Sequence, residues 1–294
     1  TSDIHISRSM MITLVLSTIS LMIPMSLLTQ KGYHSLWVWP ILLIAIFFIV
    51  NFIITNRQAT HPIVHFHTLF SKKPFVGATM AISSHLTLLT GIAGINVYIV
   101  RILKLPFDIS LHFYFFFFVG VIITGILKMF FYSSVGAGFL GTLGSSALLY
   151  VSIHWIILGN TINIPLLYIQ GLLLGFGASM TLVSGSMATL LDGDLKEAAQ
   201  RSQTMHTIRN FSAAMLIPII AYTIKNHIQK GTQSIYAENI TDKMIYLKKL
   251  QDVAIDADHQ IFLLMIIFNM VMFVSSIIQM ILGKGRRITP PRES

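Results

Sequence analysis

ISLHFYFFFFVGVIITGILKMFFYSSVGAGFLGTLGSSALLYVSIHWIIL, residues 109–158, carries a single formal charge, Lys128. A helix needs about 20 mostly apolar residues to cross the hydrocarbon core of a bilayer. The stretch therefore reads as two crossings, 109–126 and 138–158, joined by LKMFFYSSVGAG. Six further runs have the same character: 10–28, 36–54, 75–100, 165–191, 204–224 and 260–282. All are continuously apolar rather than alternating, and barrel strands need only about 10 residues, so strands are a poor fit. The expected fold is an all-α integral membrane protein with about eight transmembrane helices.

Composition agrees. Of 294 residues 54% are hydrophobic and 11% charged, where soluble domains are about a quarter charged. The mean hydropathy is +0.74. Cysteine is absent, which excludes disulfides, thiolate metal sites and thiol nucleophiles. The net charge of +9 resides largely in Lys and Arg between apolar runs, a positive-inside pattern rather than a nucleic-acid stripe. An even number of crossings puts both ends on one side, and Lys284, Arg286, Arg287 and Arg292 make that side cytoplasmic. Arg8, Arg57, Lys72, Lys73, Lys128, Lys196 and Arg201 then fall inside, while short outer connections hold Lys31, Arg101 and Lys104. The chain opens on Thr1 with neither an initiator Met nor a signal-peptide pattern, and is read as a piece of a longer protein.

Four segments follow. Residues 1–56 form a two-helix hairpin around TQKGYHSLW, and 57–74 form a cytoplasmic amphipathic connector with Pro62 and Pro74. Residues 75–283 supply six spans, with an outer loop at 225–259, and 284–294 form a basic cytoplasmic tail. Within the outer loop Leu247, Leu250, Ala254 and Ala257 recur at helical spacing, which predicts a short interfacial helix.

TQKGYHSLW, HPIVHFHTLFSKKPFVG, YIQGLLLGFGASM and QTMHTIRNFSAAM occur in this order. Together they resemble the carboxy-terminal part of a fourteen-helix major facilitator superfamily transporter of the EmrB/QacA-type drug:proton antiporter branch. The match is to its two insert helices and its second six-helix half. The resemblance implies secondary, proton-coupled efflux of small hydrophobic or cationic drugs across a bacterial inner membrane. It implies no enzymatic activity and no cofactor. The partners would be lipid, a small-molecule substrate, protons and an amino-terminal half outside this chain, with no nucleic acid. Two departures stand out: LKMFFYSSVGAG replaces the family's Asp-Arg-Gly-type turn, and Asn210-Phe211-Ser212 replaces the Gly-Gly after the embedded arginine.

Several residues are candidates for the transport path. Ser83, Thr87, Thr90, Gly94 and Tyr98 share one face of the third span, which serves either close helix packing or a solute path. His85 and Asn96 lie off that stripe and are read as packing groups with their own partners. Phe113, Phe115, Phe116, Phe117 and Phe118 surround Tyr114, facing lipid and bundle in turn. Gly94, Gly171, Gly175 and Gly177 are assigned to helix packing, since glycine lets helix backbones approach closely.

Arg209 sits about 8 Å into its span, with His206, Asn210 and Ala213 on the same face. It either snorkels to headgroups or lies on the path. His61, His65 and His67 form the one histidine-rich motif, short of the clusters a metal enzyme needs, and no metal site is assigned. Asp108, Asp192 and Asp194 lie at span edges, which leaves no acid inside a span. Two other readings stand beside transport: an inactive membrane fragment, and an eight-span enzyme with a His-bound metal.

Overall fold

The computed structural model describes residues 8–284. Arg286, Arg287 and Arg292, on which the expected orientation leans, lie outside them. Within the described residues all regular structure is helical, and seven helices are long and apolar enough to cross a membrane. These are α1 (Arg8–Lys31), α2 (Trp39–Gln58), α3 (Lys72–Asn96), α4 (Phe107–Trp155), α5 (Ile164–Leu191), α6 (Ala198–Ala237) and α7 (Lys243–Ile281). A π-helical turn, Val97–Ile102, extends α3.

The opening stretch is α4, and it doubles back. Straight, its 49 residues would extend about 74 Å, with Phe113 and Trp155 about 63 Å apart. Their rings lie 6.2 Å apart. The reversal is at Gly136, with φ 81° and ψ 171°, a backbone conformation open to glycine and strained for any residue with a Cβ. The two arms of α4 are the two runs that the sequence separates at LKMFFYSSVGAG.

Both arms pack on α5 through glycines. A Cβ at Gly120 would lie 2.1 Å from the Leu172 carbonyl oxygen, and one at Gly175 would lie 2.0 Å from that of Phe117. On the second arm, Gly144 faces Gly177 and Met180. The same device brings α3 onto α5, where Gly77 and Gly185 face each other. Lipid tails are as apolar as leucine, so close backbone approach replaces hydrophobic drive between helices. The predicted packing glycines accordingly sit at contacts: Gly94 against Phe262, Gly171 against Phe113, Gly175 against Phe117 and Gly177 against Leu148.

Local signals start the helices where the sequence provides them. Pro40 and Pro165 occupy the first turns of α2 and α5, where a missing N–H costs nothing. Asn163 accepts from the Leu166 amide and Asp242 from the Met244 amide, capping α5 and α7. Between α2 and α3, buried Asn56 folds the connector onto itself. Its Oδ1 accepts from the amides of Ile63 and Val64, and its Nδ2 donates to the Val64 carbonyl at 2.7 Å.

One expectation is corrected. The outer loop 225–259 is not a loop with a short helix in it: α6 runs on to Ala237, α7 begins at Lys243, and only a tight turn separates them. The dense charge of this region marks exposure to solvent, not absence of helix. Val253 of α7 fills the space beside Gly231, Ile235 and Ile255 are buried, and Lys249 pairs with Glu238. Leu247, Leu250, Ala254 and Ala257 belong to one continuous 39-residue helix.

Gly175→Ala and Gly120→Ala are expected to lower the thermal unfolding temperature in detergent and the monodisperse yield, costing about 1–3 kcal/mol through overpacking. Gly125→Ala, where a Cβ would meet nothing within 4 Å, serves as the control and should be neutral or mildly stabilising.

Candidate functional site

Along its 40 residues α6 carries no Asp or Glu, and neither does α3. On the α6 face that runs from His206 through Ala213 to Ile224, three polar residues come first and apolar residues follow. Opposite the polar third stands His85 of α3. The Arg209 guanidinium acts electrostatically on both His85 and His206, and all three side chains are half-buried. Arg209 Nε and His206 Nδ1 are shut off from solvent with no hydrogen-bond partner. The one hydrogen bond of the guanidinium is a long one, from Nη2 to Asn210 Oδ1 at 3.5 Å. No carboxylate pairs with it: the ion pairs among the described residues are His67–Glu197 and Lys249–Glu238.

Further along the two helices pack together, where Leu86, Leu89 and Ala93 of α3 meet Leu216 and Ile220 of α6. Beyond them the helices part around a cavity of about 950 Å³. Its walls are Ala93, Asn96, Val97, Val100 and Arg101 on one side, and Ile217, Ile220, Ala221, Ile224, Lys225 and Ile228 on the other. Gln30 of α1 and Gln229 complete it. Three of these residues come from the π-helical turn, a feature that recurs at functional sites. Lys225 Nζ donates to the Thr29 carbonyl at 2.8 Å, fastening α1 to α6 at the cavity rim.

The predicted path residues divide. Arg209 and His206 gather near His85 with Asn210 beside them, Ser83, Thr87, Thr90 and Tyr98 lie on another face of α3, and none of the seven lines the cavity. The last four are buried in the bundle. The Thr87 hydroxyl donates to the Ser83 carbonyl at 2.7 Å, and that of Thr90 to the carbonyls of Leu86 and Thr87 at 2.9 Å. Tyr98 donates to the Gly159 carbonyl, anchoring α3 to the α4–α5 connection. Their neighbour Ser84 lies 2.8 Å from the Ala178 carbonyl oxygen and 2.6 Å from Thr181 Oγ1. The stripe is a packing seam.

His85 is the opposite case. Expected to be a satisfied packing group, it makes no hydrogen bond and joins the Arg209 cluster. Asn96 does find a partner, the Tyr114 hydroxyl, while also lining the cavity.

Two charged residues were undervalued by the sequence. Asp258, placed in the outer loop, is 1% exposed within the bundle, opposite Tyr98, and neither carboxylate oxygen has a hydrogen-bond partner. Its face could have been read from Asp258, Phe262 and Met265, spaced i, i+4, i+7. Arg201, counted only as an inside charge, is likewise 1% exposed. It donates to the carbonyls of Thr189 and Leu190, both at 2.8 Å, and to that of Asp194. These include orphan carbonyls from the last turn of α5, so Arg201 closes that helix with its charge at the favourable end. Gly193 leaves it room, since a Cβ there would lie 2.6 Å from Cζ.

The histidine motif gathers no metal cage. His65 and His67 stand with ring centroids 5.9 Å apart, and no group of three His, Cys, Asp or Glu among the described residues converges on a metal position. No known protein family matches the chain, and no curated protein matches it.

Arg201→Gln should leave α5 carbonyls without partners and lower stability by about 3 kcal/mol, read as an earlier thermal transition in detergent. Arg201→Lys, with one ammonium in place of a fork, should recover only part of the loss.

Proposed function

We propose that the chain is the carboxy-terminal part of a secondary transporter of the major facilitator type, moving a small amphipathic solute across a bacterial inner membrane. The observation that carries this reading is the α3–α6 groove. It combines an arginine without a counter-charge, flanked by two histidines, at one level with an apolar cavity of about 950 Å³ at another, on one side of a glycine-packed bundle. Such a groove is what a solute site between two rocking halves requires. With α4 crossing twice, the chain has eight spans, two insert helices and a six-helix half. Arg57, Lys72, Lys73, Lys128, Arg201 and Lys284 then face the cytoplasm, and both ends lie there. The partner surface belongs to the amino-terminal half that the family resemblance implies. Proton coupling rests on the resemblance of the four quoted motifs to the EmrB/QacA-type branch. The protein acts without a cofactor and performs no bond chemistry.

In cells producing the complete protein, Arg209→Ala is expected to abolish efflux of a substrate found by screening, with membrane-inserted protein unchanged on immunoblots. Unaltered efflux would remove Arg209 from the mechanism. A wild-type protein that exports nothing across a broad panel, with no further spans encoded upstream, would leave the inactive-fragment reading in place.

A further inference from the structure

A buried acid at the end of the bundle closed by the α4–α5 connection has no part in the groove. Asp258 of α7 lies just outside the apolar run 260–282 and is 1% exposed, with neither carboxylate oxygen hydrogen-bonded. Opposite it stands Tyr98, in the π-helical turn that extends α3. We propose that Asp258 is a proton-binding site that works as a latch on the α4–α5 connection. With the proton bound, Tyr98 holds the connection; with the proton gone, Tyr98 turns to the carboxylate and releases it.

The enclosed acid keeps its proton in this fold. An ionised carboxylate shut away without donor or counter-charge is costly, and a neutral acid much less so. No cation pairs with Asp258, and burial holds its carboxyl above the usual carboxylate range. The other ionisable groups around it form no bond to it. Arg101 and Lys104 beyond Tyr98, Asp108 and His112 of α4, and Asp252 and Asp256 of α7 are exposed. Lys225 and Lys230 of α6 are exposed too, and His227 is half-buried. Tyr114 donates to Asn96 and Tyr168 stacks on Phe116. His154 lies 2.8 Å from Gln170, and His259 donates from Nε2 to the Leu158 carbonyl at 2.7 Å. Tyr98 is the titratable group on which the acid acts.

Tyr98 has one proton to donate and two places to donate it. Its hydroxyl donates to the Gly159 carbonyl, with the Thr161 carbonyl oxygen 3.4 Å away. Both carbonyls belong to the connection, residues 156–163. That arrangement suits a neutral Asp258, which has no claim on the phenol proton. A carboxylate accepts about twice as strongly as a neutral carbonyl, and the low dielectric of the interior enlarges the difference. When the Asp258 proton leaves to water, the Tyr98 hydroxyl becomes the donor that the carboxylate lacks, and its bond to Gly159 breaks. The connection is then held by His259 and by the packing of Leu158 and Ile162 on the core. Ile162 is half-buried there and is the side chain that loosens.

The full chain has no cysteine, so an introduced one reports alone. In phosphatidylcholine nanodiscs, Ile162→Cys is labelled with a soluble maleimide from about pH 5 to about pH 9, with exposed Thr161→Cys labelled in parallel. The ratio of the two rates cancels the titration of the thiol itself, and it should rise severalfold with pH. Adding Asp258→Asn should keep the ratio low at every pH, and adding Tyr98→Phe should keep it high at every pH. Unfolding temperature gives a second reading. Because burial raises the proton affinity of the acid above its unfolded value, the stability of the wild type relative to Asp258→Asn should fall as pH rises through that window.

A ratio that pH does not move, or a pH dependence that survives Asp258→Asn, overturns the latch. So does a constant difference in unfolding temperature between the two proteins. If Asp258→Asn fails to insert, Tyr98→Phe decides, since a pH dependence that outlasts the hydroxyl overturns the latch equally. No arm of the test involves transport, so the latch and the transporter reading fail separately.

Discussion

Backbone-to-backbone approach on α5 is the constraint on which the rest of this structure depends. Between membrane helices the gain comes from contact, and contact requires small residues. Gly175 and Gly177 face the two arms of α4, and Gly185 faces Gly77 of α3, with α7 closing on α3 through Gly94 and Phe262. In α6 the only glycine is Gly231, near its far end. α6 therefore meets α3 through larger side chains, Leu86, Leu89, Leu216 and Ile220 among them, and beyond that contact the two helices part around the cavity. The site is a consequence of where glycine is spent.

Within α6, two arginines eight residues apart show the difference between a structural and an available charge. Arg201 is enclosed and well partnered, each of its three nitrogens donating to a carbonyl oxygen. Arg209 is partly enclosed and has nothing but a long contact to its own neighbour. Burial alone does not separate them, since an enclosed guanidinium is costly in either position. Satisfaction does. Arg201 has traded water for three acceptors, whereas Arg209 has lost part of its water and gained no counter-charge. Asp258 belongs with Arg209 in this respect, an enclosed group whose two oxygens are unmatched, but it stands opposite Tyr98 inside the bundle and is not among the residues lining the α3–α6 cavity.

The helices were legible in the sequence because twenty apolar residues in lipid have few alternatives. Even the reversal of α4 could be placed, since glycine-rich SSVGAG interrupts the two runs. The charged segment 225–259 was not legible, because hydropathy reports the solvent a residue prefers and says little about its backbone. The site was half legible. Spacing correctly grouped Ser83, Thr87, Thr90 and Tyr98 on one face, and correctly set His85 on another. It could not say which neighbour each face meets. The polar stripe turned out to seal α3 into the bundle, and the lone histidine off the stripe stands near Arg209 of α6. Arg201 carried no local signal at all: its carbonyl partners lie in a turn whose shape the sequence does not announce.

How the groove could change width follows from where α6 is fixed. At one end Arg201 ties it to the last turn of α5, and at the other Gly231 packs on Val253 of α7. Along the flank, Met215, Ile219 and Tyr222 attach it to the α1–α2 hairpin through Met25 and Leu28. A helix held at both ends cannot swing as a rigid rod; it can only bow. Bowing concentrates where the hydrogen-bond ladder is incomplete, and Pro218 removes one N–H from it between Ile217 and Ile220, in the wall of the cavity. Across the groove the π-helical turn Val97–Ile102 is the irregular part of the facing helix, so both walls yield at the same level. Compliance and cavity coincide there, while Arg209 lies nearer the Arg201 anchor, at the stiffer end of α6.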